Sequence, residues 1–261
     1  MNDVIIKDAT QIELMRHAGQ LLAQVFTKLD DFVCEGVSTM AINDFVERYI
    51  VEQLNARPAS KGQYGYQYSL NTSVNEVICH GIPSENQILA EGDIINIDIT
   101  LEKNGYIADS SKMYLIGSCQ PNAMQLCDVT YQAMWQGIKV VKPGARLGDV
   151  GYAIASFAHQ HGYSVVKEYC GHGIGEQMHE APQVLHYGRM NTGMQLEPGM
   201  TFTIEPMINE GKAKVKNLSD GWTVITADKK LSAQWEHTIL VTESGFEVLT
   251  LRPEESVPNP S

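Results

Sequence analysis

The stretch NIDITLEKNGYIADSS, residues 96–111, reads as two strands and a tight turn, yet it carries Asp98 inside one arm and Asp109 inside the other. Aspartate is depleted from strands, so something must compensate for its presence. Beginning one residue earlier, Ile95, Ile97, Ile99 and Leu101 share one face, and Asn96, Asp98 and Thr100 share the opposite one. Asn104-Gly105 is a strong two-residue hairpin signal, which sets position 98 opposite 111 and 100 opposite 109. The two acids then lie diagonally on one face, about 7–8 Å apart at the backbone, within reach of shared ions.

Two further stretches repeat this design. MTFTIE, residues 200–205, aligns Thr201, Thr203 and Glu205, and SAQWEHTIL, residues 232–240, aligns Gln234, Glu236 and Thr238. A single acid on a strand face usually points into water. Four acids, each set among Thr, Asn and Gln, predict instead a wet interior concavity. Clustered carboxylates repel and raise one another's pKa unless cations hold them, so the pattern predicts divalent metal. His172, in the glycine-flanked GHGIG of residues 171–175, adds one imidazole. The resulting set of Asp98, Asp109, His172, Glu205 and Glu236 is rich in oxygen and has no thiolate. It suits a catalytic site for Mn, Fe, Co or Zn better than a closed structural zinc site. Several bridging carboxylates imply two ions, typically about 3.5–4 Å apart, sharing a water or hydroxide.

The rest of the chain supplies a frame. Thr10 and Glu13 form a capping box for a first helix that runs through Leu14, Ala18, Leu22, Val25, Phe26, Leu29 and Phe32 towards Gly36. A second helix starts at Ser38 or Thr39 and stops before Pro58; two more cover about 122–141 and about 148–162, around the Pro143-Gly144 break. CHGIP (79–83) precedes EGDIINID (91–98), as GHGIG precedes EPGMTFTIE (197–205), and Gly92 and Gly199 each stand six positions before an acid. This is a faint internal repeat. It predicts an α+β fold whose halves, about 1–118 and 119–251, share a central antiparallel sheet. RPEESVPNPS, residues 252–261, is expected to be a flexible tail without chemistry.

A net charge of −12 without any Lys/Arg-rich run disfavours nucleic acid and anionic membranes as main partners. No run approaches the roughly 20 apolar residues of a membrane span, and the N-terminus lacks signal-peptide character. The five cysteines form no CxxC pair and fit a reducing compartment, so a cytoplasmic location is expected. Cys79 and Cys170, beside the two His-Gly-Ile elements, read as buried packing residues.

The motifs NIDITLEKNGYIADSSKMY, EYCGHGIGEQMHE, GMTFTIEPM and LSAQWEHTILVT resemble methionine aminopeptidases of type I, members of metallopeptidase family M24, over nearly the whole chain. The resemblance implies the pita-bread fold, with two pseudo-twofold halves, a curved antiparallel sheet and helices on its outer face. It implies removal of the initiator methionine from nascent polypeptides with a small second residue, by attack of hydroxide held between two divalent ions. Asp98, Asp109, His172, Glu205 and Glu236 would be the ligands, with Asp98 and Glu236 bridging and Glu205 also shuttling a proton. His80 and His179 would contact the scissile amide and stabilise the tetrahedral intermediate. Tyr66, Met178 and Trp222 would line the methionine pocket. A structural Na or K site would map to the backbone of Asn75, Val77 and Ser232. The family also implies a monomer and a transient ribosome contact.

The chain departs from the family pattern at Ala108, where glycine is usual, at Met178, where Phe is frequent, at Ser60, near a usual pocket cysteine, and at YGYQ (64–67). Two other readings stay open. An X-Pro aminopeptidase or prolidase shares the fold but carries a large extra N-terminal domain. A non-catalytic binding protein would be marked by lost ligands, and all five are present. The type II enzyme is disfavoured, because the segment from Glu205 to Glu236 is too short for its helical insertion.

Overall fold

The computed structural model describes residues 4–257. Helix α1, Ala9–Leu29, opens on Asp8, whose side chain accepts from Gln11 N at 2.9 Å while Gln11 returns a bond to Asp8 N. The capping box therefore lies two residues before the expected Thr10–Glu13 pair. Helix α1 also ends earlier than expected, at Leu29 with Asp30 as its cap. Consecutive acids at 30 and 31 oppose the negative end of the helix dipole. Helix α2, Thr39–Arg48, is capped by Ser38 and continues as a π turn over Tyr49–Gln53. Helices α3, Pro121–Val140, and α4, Leu147–Gln160, fall where the periodicity places them.

Every strand pairing among the described residues is antiparallel. The strands Ile94–Lys103 and Tyr106–Leu115 form the long hairpin, with Asp98 opposite Ser111 and Thr100 opposite Asp109. Asn104 and Gly105 both have positive φ, as a two-residue turn matched to the strand twist requires. The second half contributes a five-stranded sheet in the order Phe246–Val248, His237–Val241, Thr201–Ile204, Gly171–Gly173, Glu180–Val184. The strands divide into sheets of four, three, three and five rather than forming one continuous sheet. The halves meet where Glu236 N donates to Ser111 O at 3.3 Å.

Packing explains why the acids face inwards. Ala18, Leu22, Val25, Phe26 and Leu29 of α1 cover Ile95, Ile97, Ile99 and Leu101. On the other half, Met134, Ile138, Val150 and Ile154 of α3 and α4 cluster with Phe202, Ile204 and Ile239. Each strand spends its apolar face on a helix, which leaves the polar faces to converge. Asp109, Glu205 and Glu236 are buried, in the inward arrangement expected of four matched acids.

The first residue of the expected tail is packed into the fold. Arg252 is 1% exposed, and its guanidinium is bonded to Glu255 and to the hairpin. Residues 258–261 of that expected tail lie outside the described residues.

Candidate metal centre

Asp98 sits mid-strand in Ile94–Lys103, Asp109 in its hairpin partner, and His172 in Gly171–Gly173. Glu205 follows Thr201–Ile204, and Glu236 occupies the break between Ser232–Gln234 and His237–Val241. One ligand atom each from Asp109, His172 and Glu236 lies within 4.8 Å of the others. His172 Nε2 is 3.5 Å from Glu205 Oε1 and 3.9 Å from Asp109 Oδ2. Asp98 adjoins Asp109 across the hairpin. All five side chains, with His80 and His179, line one cavity of about 540 Å³.

Neutral donors hold the carboxylates in place. Thr203 Oγ1 donates to Glu205 Oε1 at 2.7 Å and Gln234 Nε2 to Glu205 Oε2 at 3.3 Å. Thr100 Oγ1 donates to Asp109 Oδ1 at 3.3 Å and in turn meets Ser60 Oγ at 3.0 Å. Asn71 Nδ2 reaches Asp98 Oδ2 at 3.5 Å. Among the described residues no Lys or Arg lines the cavity.

The electrostatics follow from that composition. Burial pushes all four carboxyls above their usual range, and mutual repulsion adds to this for Asp109, Glu205 and Glu236. Burial lowers His172 to about 3, with the nearby His179 ring contributing. Converging acids, one neutral imidazole and no compensating side-chain cation fit divalent ions well: hard oxygen donors neutralised by charge, with one nitrogen.

Of the residues expected around this centre, His80 has φ +57 and packs edge-on against Tyr169. The His179 ring is 4.4 Å from that of His172. Tyr66, Met178 and Trp222 share the cavity, with Tyr66 and Trp222 rings 4.8 Å apart. Away from it, Asn75 and Ser232 are adjacent, Ser232 N donating to Asn75 O at 2.9 Å, and Val77 begins the strand after Asn75.

The sequence profile of metallopeptidase family M24 matches residues 13–243. The chain belongs to family M24. Methionine aminopeptidase of Escherichia coli K12 is 47% identical over 255 residues, covering 98% of this chain and 97% of the relative. The crystal structure of methionine aminopeptidase from Rickettsia prowazekii matches with TM-score 0.93 and 47% identity, over 95% of this chain and all of that one. A prolidase from Pyrococcus horikoshii matches with TM-score 0.75, covering 96% of this chain and 65% of its own, but at 22% identity this shows the shared pita-bread fold alone.

Within this M24 chain, three features escape sequence reasoning. Tyr64 is 74% exposed and held at φ +49 between Gly62 and Gly65; its ring stacks on His179, with Oη 3.4 Å from Nδ1. Its stretch, YGYQ, stands out as a departure from the family pattern, but nothing in it points to contact with His179. His186 is 1% exposed, and its Nε2 accepts the backbone N–H of Glu205 at 3.1 Å. Arg252 gave no local sign of burial, standing beside a Pro- and Ser-rich segment.

Proposed function

We propose that this chain is a methionine aminopeptidase, a single catalytic unit that removes an N-terminal methionine from polypeptides whose second residue is small. The supporting observation is the convergence of Asp98, Asp109, His172, Glu205 and Glu236 in one buried cavity, in a chain 47% identical to methionine aminopeptidase over nearly its full length. These five side chains would hold two divalent ions, and Asn75, Val77 and Ser232 would offer backbone oxygens to one Na or K. Divalent ions in such a donor set supply Lewis acidity towards a carbonyl and acidify water.

The protein groups do the rest by position. Thr203 and Gln234 fix the Glu205 carboxylate, so that it takes up and returns a proton along one direction. Desolvation at the cavity lowers the pKa of half-buried His80 and of His179, whose ring stays open to solvent, so each neutral imidazole would offer one N–H towards the scissile amide and its developing oxyanion. Tyr66, Met178 and Trp222 give the methionine side chain an apolar, polarisable wall.

The test compares Met-Ala-Ser with Ala-Pro-Pro. Chelator-treated protein should release methionine only after Co or Mn is restored, and should leave Ala-Pro-Pro intact. Cleavage of Ala-Pro-Pro alone would favour the prolidase reading, and undiminished methionine release without metal would refute the proposal.

A further inference from the structure

Arg252 is the largest fully buried side chain among the described residues, and its fork touches both strands that bring the second half's acid to the first half's. Nη1 donates to Ser110 Oγ at 3.1 Å and Ser111 O at 3.4 Å; Nη2 donates to Glu255 Oε1 at 2.8 Å and lies 3.3 Å from His237 Nε2. Ser110 and His237 are the immediate neighbours of Asp109 and Glu236. By strand alternation they occupy the reverse face, so the guanidinium sits behind two of the four acids of the centre.

The bonds from this fork continue to the ligand backbones. Ser110 Oγ donates to Glu236 O at 2.7 Å. Thr250, two residues before Arg252, accepts Thr238 N at 3.0 Å, and Thr238 Oγ1 donates to Asp109 O at 2.8 Å. The cation is enclosed between the Phe26 and Trp235 rings, each 5.4 Å from it, so α1 and the residue before Glu236 clamp its plane. Glu255 closes the assembly, its second oxygen accepting Arg252 N at 3.0 Å. A buried, planar guanidinium whose Nη1 and Nη2 bond in different directions fixes direction as well as charge, which a lysine ammonium does not.

We infer that Arg252 and Glu255 are positioning residues for the metal centre: a latch that sets the separation of the Asp109 and Glu236 strands from behind. This rests on the proposed metal-binding role of those two acids. Partners behind the ligands typically change metal affinity by roughly 10–100-fold.

The test is calorimetric titration of metal-free protein with Mn²⁺, well below the melting temperature. Arg252→Met and Glu255→Gln should each weaken binding by roughly tenfold or more. Arg252→Lys, which keeps the charge and folds more readily, should recover only part of it. Ile50→Val, in the π turn after α2 and fully buried, serves as the control; it should lower the melting temperature and leave the Mn²⁺ affinity unchanged. Wild-type affinity in Arg252→Lys and Glu255→Gln would overturn the inference while leaving the proposed function standing. Failure of the wild type to take up Mn²⁺ would overturn the metallopeptidase reading and the latch together.

Discussion

Lys7 Nζ lies 2.5 Å from Glu180 Oε2, with the two side chains only 2% and 5% exposed, joining positions 173 apart in the chain. The other Glu180 oxygen accepts Gln177 N at 3.1 Å, so one carboxylate ties the loop before it to the residue preceding α1. His179 is the neighbour of Glu180. Removing Lys7 would strand a buried charge, which typically costs about 3–5 kcal/mol. Lys7→Met should therefore destabilise the fold by about that amount and lower kcat as His179 loses its restraint. Lys7→Met combined with Glu180→Gln should recover most of the stability in urea unfolding, because both charges are then gone. A Lys7→Met protein as stable as the wild type would contradict this.

His80 is half-buried, and its pKa falls to about 4, with desolvation the larger cause and the His179 ring the smaller. In the unfolded chain the value is about 6.5. Between those values the unfolded state binds more protons, so this group's contribution to stability is lost as pH falls from about 6.5. Folded His80 stays neutral through the range where the enzyme would work. Its ring resonances should not titrate between about pH 8 and 5, whereas His80→Ala should lower kcat/KM by roughly 10²–10³ without moving the acid limb of the profile.

Burial raises Asp98 to about 6 and Glu205 to about 8 when no ion is bound. Their unfolded values lie near 4, so the folded state binds more protons and metal-free stability declines as pH rises from about 4. Glu205→Gln removes one such group. Without metal it should match the wild type near pH 5 and exceed it near pH 8, with urea midpoints as the measure. Added Mn²⁺ at a hundred times its Kd should raise wild-type stability by about 2.7 kcal/mol, since it binds only the folded site. If metal-free wild type gained stability over Glu205→Gln on going from pH 5 to 8, the charge argument would fail.

The centre was legible because it is built from strand alternation. Asp98 and Asp109 are placed by period two and by Asn104-Gly105, both local signals, and the observed register agrees with them. What lay beyond reach depends on contacts between distant segments. Arg252 sits among turn-forming residues, and only its partners on the hairpin, more than a hundred positions away, make it a core residue. The first helix start was misplaced because Asp8 with Gln11 and Thr10 with Glu13 are chemically equivalent boxes; packing of Lys7 into the second half favours the earlier one. Tyr64 over His179 likewise arises from a loop with no periodicity to read.

The repeated His-Gly-Ile has a packing cause that can be tested. A Cβ on Gly81 would lie 1.9 Å from Thr72 O, and one on Gly173 would lie 2.1 Å from Ala181 O. In both halves the glycine after the histidine lets the chain press against a neighbouring strand backbone. Thr72 N also donates to Gly81 O at 2.8 Å, so the Gly81 loop cannot retreat without breaking that bond. Gly81→Ala and Gly173→Ala should each destabilise by about 1–3 kcal/mol, the usual cost of overpacking. Because the displaced residues carry His80 and His172, kcat/KM should fall in both, and Mn²⁺ affinity should fall only in Gly173→Ala. Gly245, with nothing within 4 Å of an added Cβ, provides the comparison. Gly245→Ala should stay within about 0.5 kcal/mol of the wild type, as surface substitutions do. If Gly81→Ala behaved like Gly245→Ala in both stability and turnover, close backbone approach would not be the reason this motif recurs.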